Sequence, residues 1–325
     1  MLTDAHITQW HKSGYVLVHD MVDVTAARQA MQEEATHRHA NERVHDFGND
    51  RRLEFPCGVD ALDRVPVHPT LLLAASTLLQ SKYVLLHQAV AWTKYGEPPN
   101  KTSAESNDDQ RLHQDFANNM WVVPTDWHRP DAVAAIVFYS DVQKTGGGTA
   151  VVPRRHWLPT DELYTADGWM QLCMPGIAGV PFVNDRETAE KMLRDTHFDA
   201  HAARSRGYAR EVMVDDARPG SVLLYRLDVW HRGTPVYKGH ARCVHNMVWK
   251  RPDAVTMPQC GNWNAGYGRL LYYGWLERFV ASLRADQLLA LGFPPPESPY
   301  WTAHTLHLVR RRFEGIDLSY AVSRL

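Results

Sequence analysis

A histidine and an aspartate stand two residues apart in the segment RLHQDF, residues 111–116. On an extended strand, residues i and i+2 point to the same side, so the side chains of His113 and Asp115 can converge on one point. An imidazole and a carboxylate placed in this way can form half of a metal site or an ordinary ion pair on a sheet surface. The triplet alone does not distinguish these two interpretations, so the answer depends on the rest of the chain.

A second group of candidate residues lies within residues 218–251, where a turn and an apolar run lead to WHRG. There His231 stands at the end of a predicted strand, and Arg242 begins another strand 11 residues later. Two histidines and one carboxylate form the facial triad of non-haem Fe(II) oxygenases, which leaves metal positions open. Those positions can take a bidentate 2-oxo acid and then O₂, and the planar fork of an arginine can bind the far carboxylate of that acid.

The bulk composition is that of an ordinary soluble protein. Of the 325 residues, 44% are hydrophobic and 22% are charged, and the net charge is -2. No basic stripe indicates a nucleic-acid partner, and no apolar run is long enough to span a bilayer. We therefore expect neither a nucleic-acid nor a membrane partner, while the oligomeric state is not indicated.

The cellular compartment is only partly indicated. The four cysteines are scattered without paired spacing, which favours a reducing compartment. The first ten residues lack the pattern of a secretory signal, so a cytoplasmic protein is expected. The final tripeptide, Ser323-Arg324-Leu325, resembles a peroxisomal import signal and would have that meaning only in a eukaryote.

The order of elements predicts a mainly β protein with flanking helices, with a sandwich or barrel at its centre. Strands are predicted over 82–95, 132–142, 149–153, 221–225 and 241–249, and helices over 4–11, 25–41, 269–292 and 302–313. We expect a single domain over residues 1–325. Within it, 1–81 forms an N-terminal helical support, 82–250 the core and 251–325 a C-terminal helical extension.

The combined motifs resemble those of the phytanoyl-CoA dioxygenase family of Fe(II)/2-oxoglutarate-dependent oxygenases. The resemblance rests on HQD, on TGGGTAVVPRRH at 145–156, and on WHRGTPV with an arginine 11 residues after its histidine. An opening helix followed by GYVLV and the closing EGIDLSY at 314–320 extend it over nearly the whole chain. The resemblance implies a double-stranded β-helix core (jelly-roll, cupin-like) and the use of Fe(2+), 2-oxoglutarate and O₂.

The roles of the family carry over onto matching positions. The resemblance implies that His113, Asp115 and His231 are the iron ligands and that Arg242 binds the C5-carboxylate of 2-oxoglutarate. Two departures concern neighbouring positions: PRRH replaces Pro-Gly-Ser-His, with Arg154 expected near the rim of the pocket, and a glycine follows two residues after the distal histidine, where several members have serine.

The segment HQAVAWTK, residues 87–94, resembles the strand before the metal motif, where some members use a glutamine and a lysine. The corresponding residues here are Gln88 and Lys94, predicted to bind the co-substrate. They are an even number of positions apart, so a regular strand points both to one face. On the strand 241–249, the same alternation predicts that Arg242 and the other even-numbered residues face the interior of the core, and that the odd-numbered residues face away.

The resemblance implies a dioxygenase that hydroxylates an unactivated C–H bond of a small molecule or acyl-CoA and releases succinate and CO₂. Asp115 occupies the position that related halogenases leave open for chloride, which favours hydroxylation. A zinc-dependent hydrolase on the same His/Asp/His site is an alternative, although it gives Arg242 no role. A non-catalytic jelly-roll binding module is another. The substrate is not indicated, and residues 97–110 and 170–201 are expected to be loops that cover the site.

Overall fold

The structure is a computed structural model. It describes residues 1–38, 53–96, 107, 109–115, 129–155, 162–164, 185–254, 257 and 274–322. Among these residues, no helix is both long and apolar enough to cross a membrane. The terminal tripeptide 323–325 and most of the predicted loop 97–110 lie outside the described residues.

The strands pair antiparallel throughout and form two sheets within the described part of the chain. The larger has six strands in the order β1-β7-β4-β9-β3-β2, and the smaller has three in the order β6-β5-β8. Their bounds are β1 Tyr15–Val18, β2 Leu53–Glu54, β3 Leu85–Tyr95, β4 Ala132–Phe138, β5 Thr149–Val151, β6 Val212–Val214, β7 Val222–Arg226, β8 His231–Gly233 and β9 Ala241–Lys250.

The helices come mainly before and after the strands of the core. Their bounds are α1 Asp4–Ser13, α2 Thr25–Arg38, α3 Asp60–Asp63, α4 Pro69–Leu78, α5 Val142–Thr145, α6 Arg186–Thr196, α7 Phe198–Tyr208, α8 Trp275–Ala281, α9 Ala285–Ala290, α10 Ala303–Arg312 and α11 Ser319–Val322. A short 3₁₀ helix covers Glu162–Tyr164. This order bears out a mainly β core with flanking helices.

The central strand β4, with the sequence AVAAIVF, explains how the core is divided. All seven residues are buried, because both faces of the strand are covered. Val133, Ala135 and Val137 pack in one apolar cluster, whereas Ile136 and Phe138 pack in another. We call the side of the six-stranded sheet that carries Val133 the outer face, and the side that carries Ile136, toward the three-stranded sheet, the inner face.

The terminal helices cover the outer face. Thr3 caps α1 by accepting a hydrogen bond from the backbone of His6, and Gly14 ends the helix with a φ of 82°, a left-handed conformation that suits glycine. Apolar residues of α1, α4 and the C-terminal helices pack on this face in one cluster, including Trp10, Leu71 and Phe279. The first 81 residues also supply β1 and β2, the two edges of the six-stranded sheet.

The region 185–208 differs from the expected covering loop. It forms the helices α6 and α7, whose residues Leu193 and Ala203 pack against Trp230 next to β8. The reason is local: Asp185 accepts a hydrogen bond from the backbone N–H of Thr188 and so starts a helix that turns an apolar stripe toward the core. The remainder of the predicted loop, 170–184, lies outside the described residues.

The other boundaries agree closely with the sequence prediction. The strands β3, β4, β5, β7 and β9 each fall within or one residue beyond a predicted run. The predicted helical stretch 269–292 is divided, because α8 ends at Ala281 and α9 starts only at Ala285 after an extended Arg284. The short strands β2, β6 and β8 and the helices α3, α4, α5 and α11 were not predicted.

Candidate metal centre

Three side chains from two segments meet between the sheets. His113, Asp115 and His231 each offer a ligand atom, and these atoms lie within 4.8 Å of one another. His231 Nε2 is 3.7 Å from Asp115 Oδ2. The segment around His113 pairs antiparallel with β8: the backbone N–H of each histidine donates to the carbonyl of the other at 2.9 Å. The structure therefore brings the predicted triad together.

Hydrogen bonds fix the tautomers of both histidines. His113 Nδ1 lies 3.1 Å from the carbonyl oxygen of Arg111, and His231 Nδ1 lies 2.9 Å from that of Val229. A carbonyl can only accept, so each Nδ1 carries the proton and donates. In the neutral form of each ring, Nε2 is then the nitrogen with the free lone pair, which is the form that a metal ion requires.

The same site favours neutral imidazole. Enclosure by protein lowers the pKa of His113 well below its usual value, and the neighbouring His231 and Arg111 lower it further. His113 is therefore uncharged at neutral pH. The donor set is two imidazoles and one carboxylate, which suits a divalent first-row metal and leaves positions open for small ligands.

A buried ionic cluster supports the loop that leads into His231. Asp228 accepts from Arg226 at 2.9 and 3.0 Å and also pairs with Arg154. Gln114, between the two ligands of the HQD motif, donates to the backbone oxygen of Asp228 at 2.5 Å. The expectation that Arg154 lies near the rim is not met, because its guanidinium is turned into this cluster to pair with the buried Asp228.

Arg242 and Lys94 meet at one end of the inner face. They are direct partners in the β3–β9 pairing, so their side chains share a side. Both are buried; Arg242 Nη1 donates to the carbonyl of Gly147 at 2.8 Å, and Lys94 Nζ donates to that of Thr234 at 3.2 Å. The guanidinium also lies 5.0 Å from the centre of the Trp92 ring. Two cations are thus held side by side in a low-dielectric interior.

The glycine-rich turn explains how Arg242 reaches this place. Gly147 has a φ of +73°, and a Cβ there would lie 3.0 Å from Arg242 Cδ and 2.8 Å from a methyl carbon of Val236. A side chain at this position would displace the arginine or strain the turn. The TGGG segment therefore provides the space that the guanidinium occupies.

Gln88 is separated from the two cations. It pairs with Val248 on β9, and the inner-face position of Val248 places Gln88 on the same face as Lys94, as predicted. Six residues of strand nevertheless span about 20 Å, which is longer than a five-carbon dicarboxylate. Gln88 therefore lies too far along β3 to share a carboxylate with Lys94.

The predicted alternation along β9 is present. Val244 and Val248 pack in the inner cluster with Arg242 on their side, whereas Met247 and Trp249 pack in the outer cluster. His245 is also on the outer side, hydrogen-bonded to Tyr139 at 3.0 Å. The strand thus separates an inner set that includes Arg242 from an outer set that packs under the terminal helices.

The glycine two residues after the distal histidine has a local explanation. Gly233 donates its N–H to Gln110 Oε1 at 2.8 Å, and a Cβ on Gly233 would stand 2.8 Å from that same oxygen. Gln110 also donates its own N–H to the carbonyl of Gly233. The glutamine side chain therefore occupies the space that a serine would need.

Tyr225 is a site residue that the sequence did not single out. It lies at the end of β7 on the inner face, and its hydroxyl donates to Asp115 Oδ2 at 2.8 Å. Its strand was predicted correctly, but the contact joins residues 110 positions apart. Period-two alternation could have placed its ring in the interior, but could not have identified its partner.

Among the known proteins compared with this chain, the matches are to solved structures. No protein-family model matches the sequence, and no curated protein matches it. Among solved structures, the chain is similar to the non-haem α-ketoglutarate-dependent epimerase SnoN from nogalamycin biosynthesis, with 17% identity, a TM-score of 0.52, and coverage of 79% of this chain and 85% of SnoN.

Two further solved structures are similar. The carbocyclase SnoK from nogalamycin biosynthesis has 16% identity and a TM-score of 0.50, with coverage of 83% of this chain and 91% of SnoK. EctD from S. alaskensis with 2-oxoglutarate and 5-hydroxyectoine has 16% identity and a TM-score of 0.50, with 81% of each chain covered. At this identity the likeness establishes the fold. The chain has the double-stranded β-helix fold of non-haem 2-oxoglutarate-dependent enzymes, and the resemblance expected from the sequence is confirmed at that level.

Proposed function

We propose that this protein is a non-haem Fe(II)- and 2-oxoglutarate-dependent dioxygenase that hydroxylates an unactivated C–H bond of a small molecule or acyl-CoA. The observation that carries the proposal is the triad: two imidazoles whose Nδ1 atoms donate to backbone carbonyls and one carboxylate, with ligand atoms within 4.8 Å of one another. The α-ketoglutarate dependence of SnoN and SnoK, which share the fold, supports the choice of co-substrate.

In this proposal His113, Asp115 and His231 hold the iron. When bound there, Fe(II) supplies the oxidising chemistry that couples O₂ and 2-oxoglutarate to C–H cleavage, with succinate and CO₂ as by-products. The protein contributes a fixed set of three ligands on one side, which leaves the other side for co-substrate and O₂. The β8 pairing and the two Nδ1 hydrogen bonds hold both imidazoles in place before the metal arrives.

Arg242 and Lys94 would anchor the far carboxylate of 2-oxoglutarate. A dicarboxylate brought into a buried site must meet positive charge there, because an unpaired buried carboxylate is costly. These two residues supply a guanidinium and an ammonium on adjacent strands. Trp92, packed against the guanidinium, limits its movement and so favours one orientation of the bound acid.

The substrate contacts are proposed on the rest of the inner face. Gln88 lies well away from Lys94 on β3. We therefore propose that the Gln88 side chain contacts the substrate and not 2-oxoglutarate. Asn246 lies two residues after Val244 on the inner side of β9. Its Oδ1 is buried and has no hydrogen-bond partner among the described residues. Both amides can bind polar groups of a substrate.

We further propose that the chain works as one domain, in which 1–81 and 251–325 support the core 82–250.

Equilibrium dialysis of labelled 2-oxoglutarate under anaerobic conditions tests the proposal. We expect about one equivalent to be retained when Fe(II) is present and much less without it. Arg242→Gln should release the co-substrate while leaving Fe(II) binding intact. No metal-dependent retention in the wild-type protein would contradict the proposal, and Zn²⁺-dependent hydrolysis of test esters in its place would favour the hydrolase.

A further inference from the structure

Tyr225 stands behind the carboxylate of the metal triad. It occupies the inner face of β7, near the end of the strand and six residues before His231. Only 4% of the residue is exposed, and its hydroxyl donates to Asp115 Oδ2 at 2.8 Å. The centre of its ring also lies 4.8 Å from that of His231. One side chain therefore contacts two members of the triad.

The phenol is the donor of this hydrogen bond. Its O–H can donate, whereas a carboxylate oxygen only accepts. A neutral hydroxyl and an ionised carboxylate form a charge-assisted hydrogen bond, which is stronger than a bond between two neutral groups.

The carboxylate needs such a partner because its own segment does not fix its direction. Asp115 follows the bridge at His113 by two residues, and its backbone N–H bonds to the carbonyl of Leu227. That bond places the Cα but leaves the two side-chain torsions of an aspartate to be set by its neighbours. Tyr225 donates a hydrogen bond to one oxygen of this carboxylate and so restricts its rotation.

We propose that Tyr225 is a positioning residue that orients the Asp115 carboxylate toward the metal position. The inference rests on the proposed metal triad and adds a fourth residue to it. The phenol is not itself a ligand in this account; it acts by holding one oxygen of Asp115 and packing against His231. Outer-sphere partners of this kind typically contribute 10- to 100-fold to metal affinity.

Tyr139 provides a matched comparison within the same sheet. It too is a fully buried tyrosine that hydrogen-bonds a titratable residue, at 3.0 Å to His245 Nδ1. It lies on the outer face, where its neighbours are the terminal helices and not the triad. Removing either hydroxyl deletes one buried hydrogen bond, but only Tyr225 touches a proposed ligand.

The test is the affinity of the apoprotein for Co²⁺, measured by competition with a chromophoric chelator. In Tyr225→Phe we expect binding to be about 10- to 100-fold weaker than in the wild-type protein, and in Tyr139→Phe it should be unchanged. The visible spectrum at saturating Co²⁺ should also shift in Tyr225→Phe, because the ligand geometry changes. A purely structural hydroxyl would alter only the melting temperature of the apoprotein.

The outcomes separate this inference from the proposed function. If the wild-type protein binds Co²⁺ and Tyr225→Phe binds it equally well with the same spectrum, Tyr225 is not a positioning residue and the triad still stands. If the wild-type protein binds no divalent metal, both proposals fail. If Tyr225→Phe does not fold, Tyr225→Leu, which is smaller and also lacks a donor, provides the second variant. A folded Tyr225→Leu with wild-type affinity and spectrum would likewise overturn the inference.

Discussion

The two faces of the six-stranded sheet use the same residue types for different purposes. On the outer face, Tyr139 bonds His245 beneath the terminal helices. On the inner face, Tyr225 bonds Asp115 beside His231. Both pairs are buried, but the inner pair belongs to a cluster whose Nε2 and carboxylate atoms converge on a common point. Burial of a histidine or tyrosine therefore does not identify a site; convergence of its lone pairs with those of other residues does.

Along the strand β9, the two faces of the sheet are separated by a single position in the sequence. Alternate residues of one strand point to opposite faces, so Arg242 and His245 belong to different environments although they are only three residues apart. The inner environment joins two cations, a triad and the Asn246 amide, whose Oδ1 has no hydrogen-bond partner among the described residues. The outer environment is an apolar layer that contains the hydrogen-bonded His245. A shift of one residue in register would exchange these two sets.

The largest expected effect is loss of a proposed metal ligand on the inner face. His231→Ala should weaken divalent-metal binding by more than the roughly 100-fold that outer-sphere changes cause. His245→Ala, the matched change on the outer face, should leave the affinity unchanged. Both are measured by Co²⁺ titration of the apoprotein with a competing chelator. Equal losses in the two variants would remove the distinction between the faces.

The next effect concerns stability of the loop that leads into His231. Asp228→Asn should lower the free energy of unfolding by about 3–5 kcal/mol, because Arg154 and Arg226 would remain buried with their common counter-ion neutralised. Urea unfolding of the apoprotein measures it. Asp253→Asn removes an exposed partner of Arg251 and should change stability by about 1 kcal/mol or less.

A smaller effect is expected for the co-substrate cation. Arg242→Gln should weaken binding of 2-oxoglutarate about 30-fold, equivalent to about 2 kcal/mol for a lost charge-assisted hydrogen bond. Affinity for Co²⁺ should remain as in the wild-type protein. Arg251→Gln, beyond the other end of β9, is the control, since its guanidinium bonds Asp131 and Asp253. If Arg242→Gln binds 2-oxoglutarate normally, the cation pair is structural.

An effect of about the same free energy appears as a pH dependence on the outer face. Burial lowers the pKa of His245 to about 3, whereas the unfolded chain has an ordinary histidine value near 6.5. Between these values the unfolded state binds more protons, so the contribution of His245 to stability is complete above pH 6.5 and is lost as the pH falls. From pH 7 to pH 5 the loss is about 2 kcal/mol.

His245→Asn isolates that contribution. In metal-free buffer, the free energy of unfolding of the variant should fall by about 2 kcal/mol less than that of the wild-type protein over the same pH range. His304→Asn changes an exposed histidine on α10 and should follow the wild-type curve. Parallel curves for His245→Asn and the wild-type protein would mean that His245 is accessible to protons in the folded state.

The sequence predicted the parts of this fold that local patterns determine. The apolar run of β4 and the alternation of β9 identified both strands, and Thr3 and Gly14 identified the ends of α1. The candidate triad could be predicted because a His-x-Asp triplet and a distant histidine with a following arginine match a known chemistry.

The parts that could not be predicted depend on contacts between distant segments. The cluster of Asp228 with Arg154 joins residues 74 positions apart, and the bond of Tyr225 to Asp115 joins residues 110 apart. Neither contact has a local signal. The helix α6 did have one, in its Asp185 cap and the i, i+4 spacing of Ala189 and Leu193, but its mostly polar sequence was taken for a loop.

The most direct test of the central claim is an anaerobic titration of the apoprotein with Fe(II) and then 2-oxoglutarate, followed in the visible spectrum. We predict a weak charge-transfer band that requires both additions and is absent in His113→Ala. The same band should persist in His245→Asn, because that histidine lies on the outer face. A folded wild-type protein that gives no band with Fe(II) and 2-oxoglutarate together would contradict the account.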